Sequence, residues 1–86
     1  MKSNRRMKTL ITGAGRGIGK EIANKFAKEG QDLFLLVRKK SEVSNLKKFF
    51  NNKYDIQVKY FVGDLRNKKF INKIKNKIPA VHNLVN

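Results

Sequence analysis

Short apolar runs alternate along this chain with longer stretches in which apolar residues recur every three or four positions. Continuous or alternating apolar runs are typical of strands, whereas the three-to-four spacing is typical of helices that bury one face. The pattern predicts strands at residues 7–12, 33–37, 56–62 and 80–86, and helices at residues 17–29, 41–51 and 67–77. This alternation predicts an α/β fold with a parallel sheet and right-handed crossovers. We expect a Rossmann-like half of a doubly wound fold, with about four strands in the order 3-2-1-4 and helices on both faces.

The predicted helices carry residues at their ends that are typical of helix boundaries. Ser41 is a candidate N-cap of the second helix, because its hydroxyl can accept a hydrogen bond from the first turn. Gly30 is a candidate C-cap of the first helix, and Pro79 is expected to end the third. The buried stripe of the first helix is predicted to consist of Ile18, Ile22, Ala23, Phe26 and Ala27.

The junction between the first strand and the first helix is rich in glycine. Gly13 can turn the chain sharply where another side chain would clash. Gly17 lets the backbone approach a phosphate, and Gly19 lets the new helix pack closely on the strand. The unpaired N–H groups of the first helical turn, and the positive end of the helix dipole, would then face an anion. Because this turn follows a strand and opens a helix, it predicts a site for the pyrophosphate of a dinucleotide.

Residues 12–19 read TGAGRGIG and resemble the cofactor loop of the short-chain dehydrogenase/reductase family. The resemblance continues along the chain, since Arg38 closes the second strand and Asp64-Leu65 follow the third. The last four residues, Asn83-Leu84-Val85-Asn86, resemble the start of the family's Asn-Asn-Ala-Gly segment. The 3-oxoacyl-carrier-protein reductases are one branch with a similar loop. The resemblance implies an oxidoreductase that moves a hydride between a nicotinamide cofactor and a carbonyl or alcohol.

The resemblance also implies which residues bind the cofactor. Asp64 would contact the adenine ring, Leu65 would pack beside it, and Asn86 would lie near a ribose. The candidate cofactor-binding residues are Gly13, Ala14, Gly15, Arg16, Gly17, Ile18, Gly19, Arg38, Asp64, Leu65 and Asn86.

Two of these residues favour one form of the cofactor. Arg16 and Arg38 lie where family members that use NADP(H) carry basic residues, and a guanidinium offers a planar fork to a phosphate. Folds that bind NAD(H) instead place a carboxylate after the second strand, on the ribose hydroxyls. Residues 37–40 read Val-Arg-Lys-Lys and contain no carboxylate. We therefore expect NADP(H) as the cofactor.

The family's catalytic residues, a Ser and a Tyr-x-x-x-Lys pair, are not recognisable in this chain. Tyr54 and Tyr60 are the only tyrosines, and the residues four positions later are Val58 and Asp64, not lysine. We expect a basic tail at residues 1–6 and a truncated dinucleotide-binding domain at residues 7–86 that is inactive alone. A partial gene, a truncated reading frame and a split enzyme with a separately encoded C-terminal half remain open explanations.

The chain has a formal net charge of +15, which raises the alternative of a small basic binding module for nucleic acid. However, 16 of its 21 basic residues are lysines spread over every polar helix face. Frequent Lys, Asn, Ile and Phe are what an AT-rich genome encodes, and we favour that explanation. The chain has no cysteine and one histidine, His82, so neither a disulfide nor a cysteine or histidine metal cluster is expected. Without an apolar run of about 18 residues, we expect a cytoplasmic protein and no membrane partner.

Overall fold

The computed structural model describes residues 7–15, 17–50 and 53–78, and the backbone of residues 83–85. Its strands and helices follow one another in the predicted alternation: β1 Lys8–Thr12, α1 Gly17–Lys28, β2 Asp32–Val37, α2 Lys40–Phe50, β3 Val58–Val62, α3 Lys68–Ile74 and β4 Asn83–Val85. The four strands form one sheet in the order β3-β2-β1-β4, and each neighbouring pair is parallel. The predicted fold class and strand order are therefore confirmed.

The register of the sheet brings the carboxyl ends of three strands to the same edge. Thr12 at the end of β1 lies beside Leu36 of β2, and Val37 at the end of β2 lies beside Val62 of β3. Gly63, the residue after β3, donates its backbone N–H to the carbonyl of Val37 at 2.9 Å. The segments that leave these strands therefore begin side by side.

The main core lies between one face of the sheet and the helices α1 and α2. Alternate residues of β2, beginning with Leu33, point toward this face and pack with alanines of α1 and with Leu46 and Phe50 of α2. The buried cluster consists of Ile11, Ala14, Ala23, Ala27, Leu33, Leu35, Val37, Leu46 and Phe50. Since Leu33 to Val37 are all buried, β2 is covered on both faces, as its continuous apolar run predicts.

The opposite face of the sheet is also apolar. Phe34 is buried there and its ring stacks on that of Phe61, with the ring centroids 6.4 Å apart. The crossovers through α1 and α2 move outward from β1 to β3, whereas the connection through α3 returns past β1 to β4. Because parallel crossovers are right-handed, the return places α3 on this second face.

The start of α2 differs from the prediction. The helix begins at Lys40, so Ser41 lies within its first turn and the assignment of Ser41 as N-cap is wrong. The carboxylate of Glu42 reaches back instead, and accepts the backbone N–H groups of Arg38 at 3.1 Å and Lys39 at 3.0 Å. This is the acidic half of a capping box, in which the third helical residue satisfies the N–H groups that precede the helix.

Two further differences concern the ends of α1 and α3. Ile18 is 77% exposed, so the prediction that it belongs to the buried stripe of α1 is wrong. Asn67 is the N-cap of the third helix, and its side chain accepts the N–H groups of Lys69 and Phe70. The third helix was predicted over residues 67–77, but it begins at Lys68 and ends at Ile74. The last turn tightens there, since the N–H groups of Lys77 and Ile78 both donate to the Ile74 carbonyl. Pro79 lies outside the described residues.

Candidate functional site

An open cleft of about 500 Å³ lies at the edge of the sheet where β1, β2 and β3 end. Ligands of open α/β sheets bind at this edge, outside the carboxyl ends of the strands. The residues that line the cleft are Thr12, Gly13, Leu36, Val37, Arg38, Gly63, Asp64, Leu65 and Arg66. The cleft therefore brings together Gly13, Arg38, Asp64 and Leu65, four of the residues that the sequence predicts to bind a cofactor.

The glycine loop begins at Gly13 with a backbone conformation that glycine adopts more easily than other residues. Gly13 has a φ angle of +69°, in the left-handed region that residues with a side chain avoid. Its N–H donates to the Leu36 carbonyl at 3.0 Å, and the N–H of Ala14 donates to the same oxygen at 3.4 Å. The loop is thus fixed to the end of β2, and these two N–H groups already have an acceptor.

The later glycines of the loop meet two different conditions. A Cβ atom on Gly19 would overlap the backbone carbonyl of Gly13, so the close approach of α1 to the loop requires a glycine there. A Cβ atom on Gly17 would meet no described atom within 4 Å. Gly17 therefore faces open space at the start of α1, where the N–H groups of the first helical turn have no partner within the helix.

Ala14 and Ile18, both predicted to bind the cofactor, have contrasting surroundings. Ala14 is fully buried in the core, and its N–H donates to the Leu36 carbonyl, so its predicted contact with the cofactor remains a prediction. Ile18 projects from the first turn of α1 with 77% of its surface exposed. Ile18 is therefore not part of the core, and its predicted contact with the cofactor remains a prediction.

The carboxylate of Asp64 forms ion pairs with two arginines in the cleft, Arg38 and Arg66. Nη2 of Arg66 donates to Asp64 Oδ2 at 2.9 Å, and Nε of Arg66 lies 3.2 Å from each carboxylate oxygen. The backbone N–H of Arg66 donates to Asp64 Oδ1 at 2.8 Å. Arg38, the residue after β2, contacts the same carboxylate, with Nη2 at 3.4 Å from Oδ2. Sequence reasoning did not include Arg66, although its place two residues after Asp64 is the spacing of such a local turn.

These hydrogen bonds fix the charge of Asp64. The side chain and then the backbone N–H of Arg66, together with the positive charge of Arg38, hold the pKa of Asp64 well below its usual range. The same pairing raises the pKa of Arg66 above its ordinary value. Asp64 is therefore an ionised hydrogen-bond acceptor at any physiological pH.

Glu42 brings a carboxylate from α2 against the glycine loop. Besides accepting the N–H groups of Arg38 and Lys39, it lies directly against Gly15, where a Cβ atom would overlap its side chain. Gly15 is thus required by Glu42, and its predicted contact with the cofactor remains a prediction. The spacing of Glu42 from Lys39 is the sequence signal that could have identified this cap.

An apolar floor and wall complete the cleft at the end of β3. Leu65 exposes 45% of its surface beside Asp64, so it is available to pack on a flat ring. Gly63 has no room for a side chain because the ring of Phe70 from α3 lies against it. The third helix therefore sets the position of the Gly63-Asp64-Leu65 turn.

Several predicted features lie outside the described residues. Arg16, expected at the adenosine phosphate, and Asn86, expected near a ribose, are among them, as is His82. None of the helices in the described ranges is long and apolar enough to cross a bilayer. Within the same ranges, no three His, Asp or Glu side chains are grouped to hold a metal ion.

Residues 8–86 match the family model described as "short chain dehydrogenase". Because the match spans nearly the whole chain, the protein belongs to the short chain dehydrogenase family. A curated relative, the very-long-chain 3-oxoacyl-CoA reductase of the yeast Vanderwaltozyma polyspora, is 41% identical over 56 residues. That alignment covers 65% of this chain but only 16% of the relative, so the chain spans a small part of the length of the relatives it matches.

Solved structures show the same relationship in three dimensions. The short-chain dehydrogenase of Sphingobium yanoikuyae in complex with NADPH is 30% identical, with a TM-score of 0.73 over 83% of this chain and 28% of that one. The L-sorbose reductase of Gluconobacter frateurii, complexed with NADPH and L-sorbose, is 25% identical, with a TM-score of 0.82 over 94% of this chain and 32% of that one. Both neighbours are oxidoreductases that bind NADPH, and neither favours the nucleic-acid alternative.

Proposed function

We propose that this chain is the NADP(H)-binding N-terminal part of an oxidoreductase that transfers a hydride between the nicotinamide and a carbonyl or alcohol. The observation that carries the proposal is the position of Arg38. It directly follows β2, and its guanidinium lies beside Asp64 in the cleft, where a fold for NAD(H) would present a carboxylate to the ribose hydroxyls. The dehydrogenase and reductase structures that contain NADPH support this choice of cofactor.

The cap at the start of α2 strengthens the role of the Arg38 side chain. The N–H groups of Arg38 and Lys39 would otherwise face an incoming phosphate, but Glu42 accepts both of them. A 2′-phosphate at this place must therefore be bound by side chains. Arg38 is more than half exposed, and its contact with Asp64 is the longer of the two ion pairs there, so its guanidinium can turn to a phosphate.

The remaining cofactor contacts are proposed on the same basis. The pyrophosphate would lie at the N-terminus of α1, on the N–H groups of Gly17, Ile18 and Gly19. The adenine would lie between Asp64 and Leu65, with its amino group donating to the carboxylate. Arg16 and Asn86 keep their predicted roles at the 2′-phosphate and at a ribose.

Catalysis is proposed to require residues beyond those of this chain. The hydroxyl of Tyr54 donates to Asn24 of α1 at 2.8 Å, and burial raises the pKa of Tyr60. Neither tyrosine has a lysine four residues later, and neither lines the cleft. As a carbonyl reductase this chain would then be inactive alone, and a separately encoded half and a cytoplasmic location remain predictions.

The substrate class is a finer proposal. The yeast relative is named a very-long-chain 3-oxoacyl-CoA reductase, and the sequence prediction of a loop like that of 3-oxoacyl-carrier-protein reductases agrees with that name. Both act on a 3-oxoacyl thioester, so we propose a substrate of that class for the whole enzyme.

The Arg38→Gln substitution tests the choice of cofactor. It removes the charge but keeps a polar side chain of similar length, and charge-assisted hydrogen bonds contribute about 1.5–3 kcal/mol. Titration calorimetry of NADPH and NADH should therefore show NADPH binding weakened about tenfold or more, with NADH nearly unchanged.

The matched control is Lys48→Gln, which removes one positive charge from the last turn of α2, the helix that follows Arg38, at a position outside the cleft lining. It should leave the ratio of the two affinities as in the unaltered chain. If Arg38→Gln and Lys48→Gln change the ratio equally, the preference comes from net charge and the role of Arg38 is refuted.

A further inference from the structure

Arg38, the residue proposed to bind the 2′-phosphate, lies in contact with a carboxylate. Its Nη2 is 3.4 Å from Asp64 Oδ2. A phosphate that binds Arg38 must therefore compete with Asp64 for the same guanidinium. Any group that holds Asp64 in the absence of Arg38 would weaken this competition.

Arg66 is such a group. Its Nε and Nη2 form a fork on both oxygens of Asp64 at 2.9–3.2 Å, and its backbone N–H adds a third donor at 2.8 Å. Paired geometry of this kind is stronger and more directional than a single long contact. Because the backbone donor belongs to the same local turn, the arrangement persists when the Arg38 side chain moves away.

The charges of Arg38, Asp64 and Arg66 also indicate that Arg66 leaves Arg38 available to a phosphate. Two guanidiniums and one carboxylate leave one net positive charge at the end of β3. A phosphomonoester carries about −1.5 to −2 charges at neutral pH. Without Arg66, Arg38 and Asp64 would cancel each other, and an incoming phosphate would meet an exposed carboxylate with no other described side chain bonded to it.

We propose that Arg66 determines the preference for a 2′-phosphorylated cofactor indirectly, by holding Asp64 so that Arg38 is available to the phosphate. Arg66 is a positioning residue in this arrangement, and it does not itself bind the phosphate. The inference rests on the proposed function, since it concerns how the same cleft recognises NADP(H).

The test is a double-mutant cycle with the variants Arg66→Gln, Asp64→Asn and Arg66→Gln/Asp64→Asn. The affinities for NADPH and NADH are measured for each by titration calorimetry. In the unaltered background, Arg66→Gln should lower the ratio of NADPH to NADH affinity about two- to fivefold, the range of an exposed ion pair. In the Asp64→Asn background, Arg66→Gln should leave the ratio unchanged, because there is no carboxylate left to hold.

The control is Lys68→Gln, which removes an exposed positive charge two residues further along the chain. It should leave the ratio unchanged in either background. Far-UV circular dichroism and melting curves identify any variant that fails to fold, and Arg66→Lys provides a milder replacement that keeps the charge but loses the fork.

Three results would overturn the proposal. Arg66→Gln could leave the ratio unchanged while Arg38→Gln lowers it, which would retain the proposed function but remove Arg66 from it. Arg66→Gln could lower the ratio equally in the Asp64→Asn background, which would show that Arg66 acts on the phosphate directly. Equal affinities of the unaltered chain for NADPH and NADH would instead refute the proposed function itself.

Discussion

At the scale of single residues, two glycines of the loop are required for different physical reasons. Gly19 has no space for a side chain because the Gly13 carbonyl lies against it, whereas Gly17 faces open space. The sequence predicted the close packing at Gly19, and its prediction that Gly17 lets the backbone approach a phosphate stays a prediction. It did not predict the need for Gly15, since Glu42 approaches that glycine from another element.

This difference predicts opposite effects for two matched substitutions. Gly19→Ala should destabilise the fold by about 1–3 kcal/mol, because a methyl group would be forced against backbone atoms. Gly17→Ala should leave stability unchanged or raise it by up to about 1 kcal/mol, since alanine favours a helix over glycine. Urea unfolding followed by circular dichroism measures both.

The variants Gly17→Ala and Gly19→Ala also distinguish an effect on stability from an effect on cofactor binding. Gly17→Ala should weaken NADPH binding despite a stable fold, because its methyl group would occupy the space where the pyrophosphate approaches the backbone. Equal loss of stability in the two variants would contradict the assignment of Gly17 to the ligand and of Gly19 to packing.

At the scale of elements, the sequence predicted the order and type of every strand and helix but misplaced some of their ends. The buried run of β2 and the three-to-four spacing of α1 and α2 are strong local signals, because each reflects burial of a whole face. Ser41 was misleading because several residues near the start of α2 can cap it. The choice was decided by Glu42, whose carboxylate reaches two backbone N–H groups at once.

The capping of α2 can be tested with two neighbouring substitutions. Glu42→Ala should destabilise the protein by about 1 kcal/mol, the usual contribution of a capping side chain, since the N–H groups of Arg38 and Lys39 lose their acceptor. Ser41→Ala should be nearly neutral, because the hydroxyl lies within the first turn. Thermal melts of both variants under the same buffer provide the comparison.

The reverse ranking would restore Ser41 as the cap and would contradict the geometry of Glu42. Glu42→Gln is an informative third variant, since an amide oxygen can still accept hydrogen bonds from the two backbone groups. It should retain most of the stability that Glu42→Ala loses.

At the scale of the whole molecule, the topology determines where the chemistry is. Because the strands are parallel and in register, residues from the ends of β1, β2 and β3 that are far apart in sequence meet in one cleft. The resemblance to the family anticipated Arg38, Asp64 and Leu65 there. It did not anticipate Arg66, because the signal that identifies this residue is a set of distances to Asp64 and not a motif.

The net charge of +15 acts on the same cleft. A positive potential attracts any dinucleotide, so charge alone raises affinity for NADH and NADPH alike. If Arg38 and Arg66 act as proposed, the chain also prefers NADPH to NADH, and this preference depends on the 2′-phosphate and on those two side chains. A measurement at residue resolution is therefore the most direct test.

That measurement is a titration of the ¹⁵N-labelled chain with NADPH, followed by amide chemical shifts, and repeated with NADH. If this cleft binds NADP(H), we expect saturable shifts of the Gly17, Ile18 and Gly19 amides with both cofactors. The Arg38 and Arg66 amides should shift more with NADPH than with NADH. We also expect saturation at a lower concentration of NADPH than of NADH. Shifts confined to lysines away from the cleft, or identical titrations with the two cofactors, would contradict the claim that this cleft binds NADP(H).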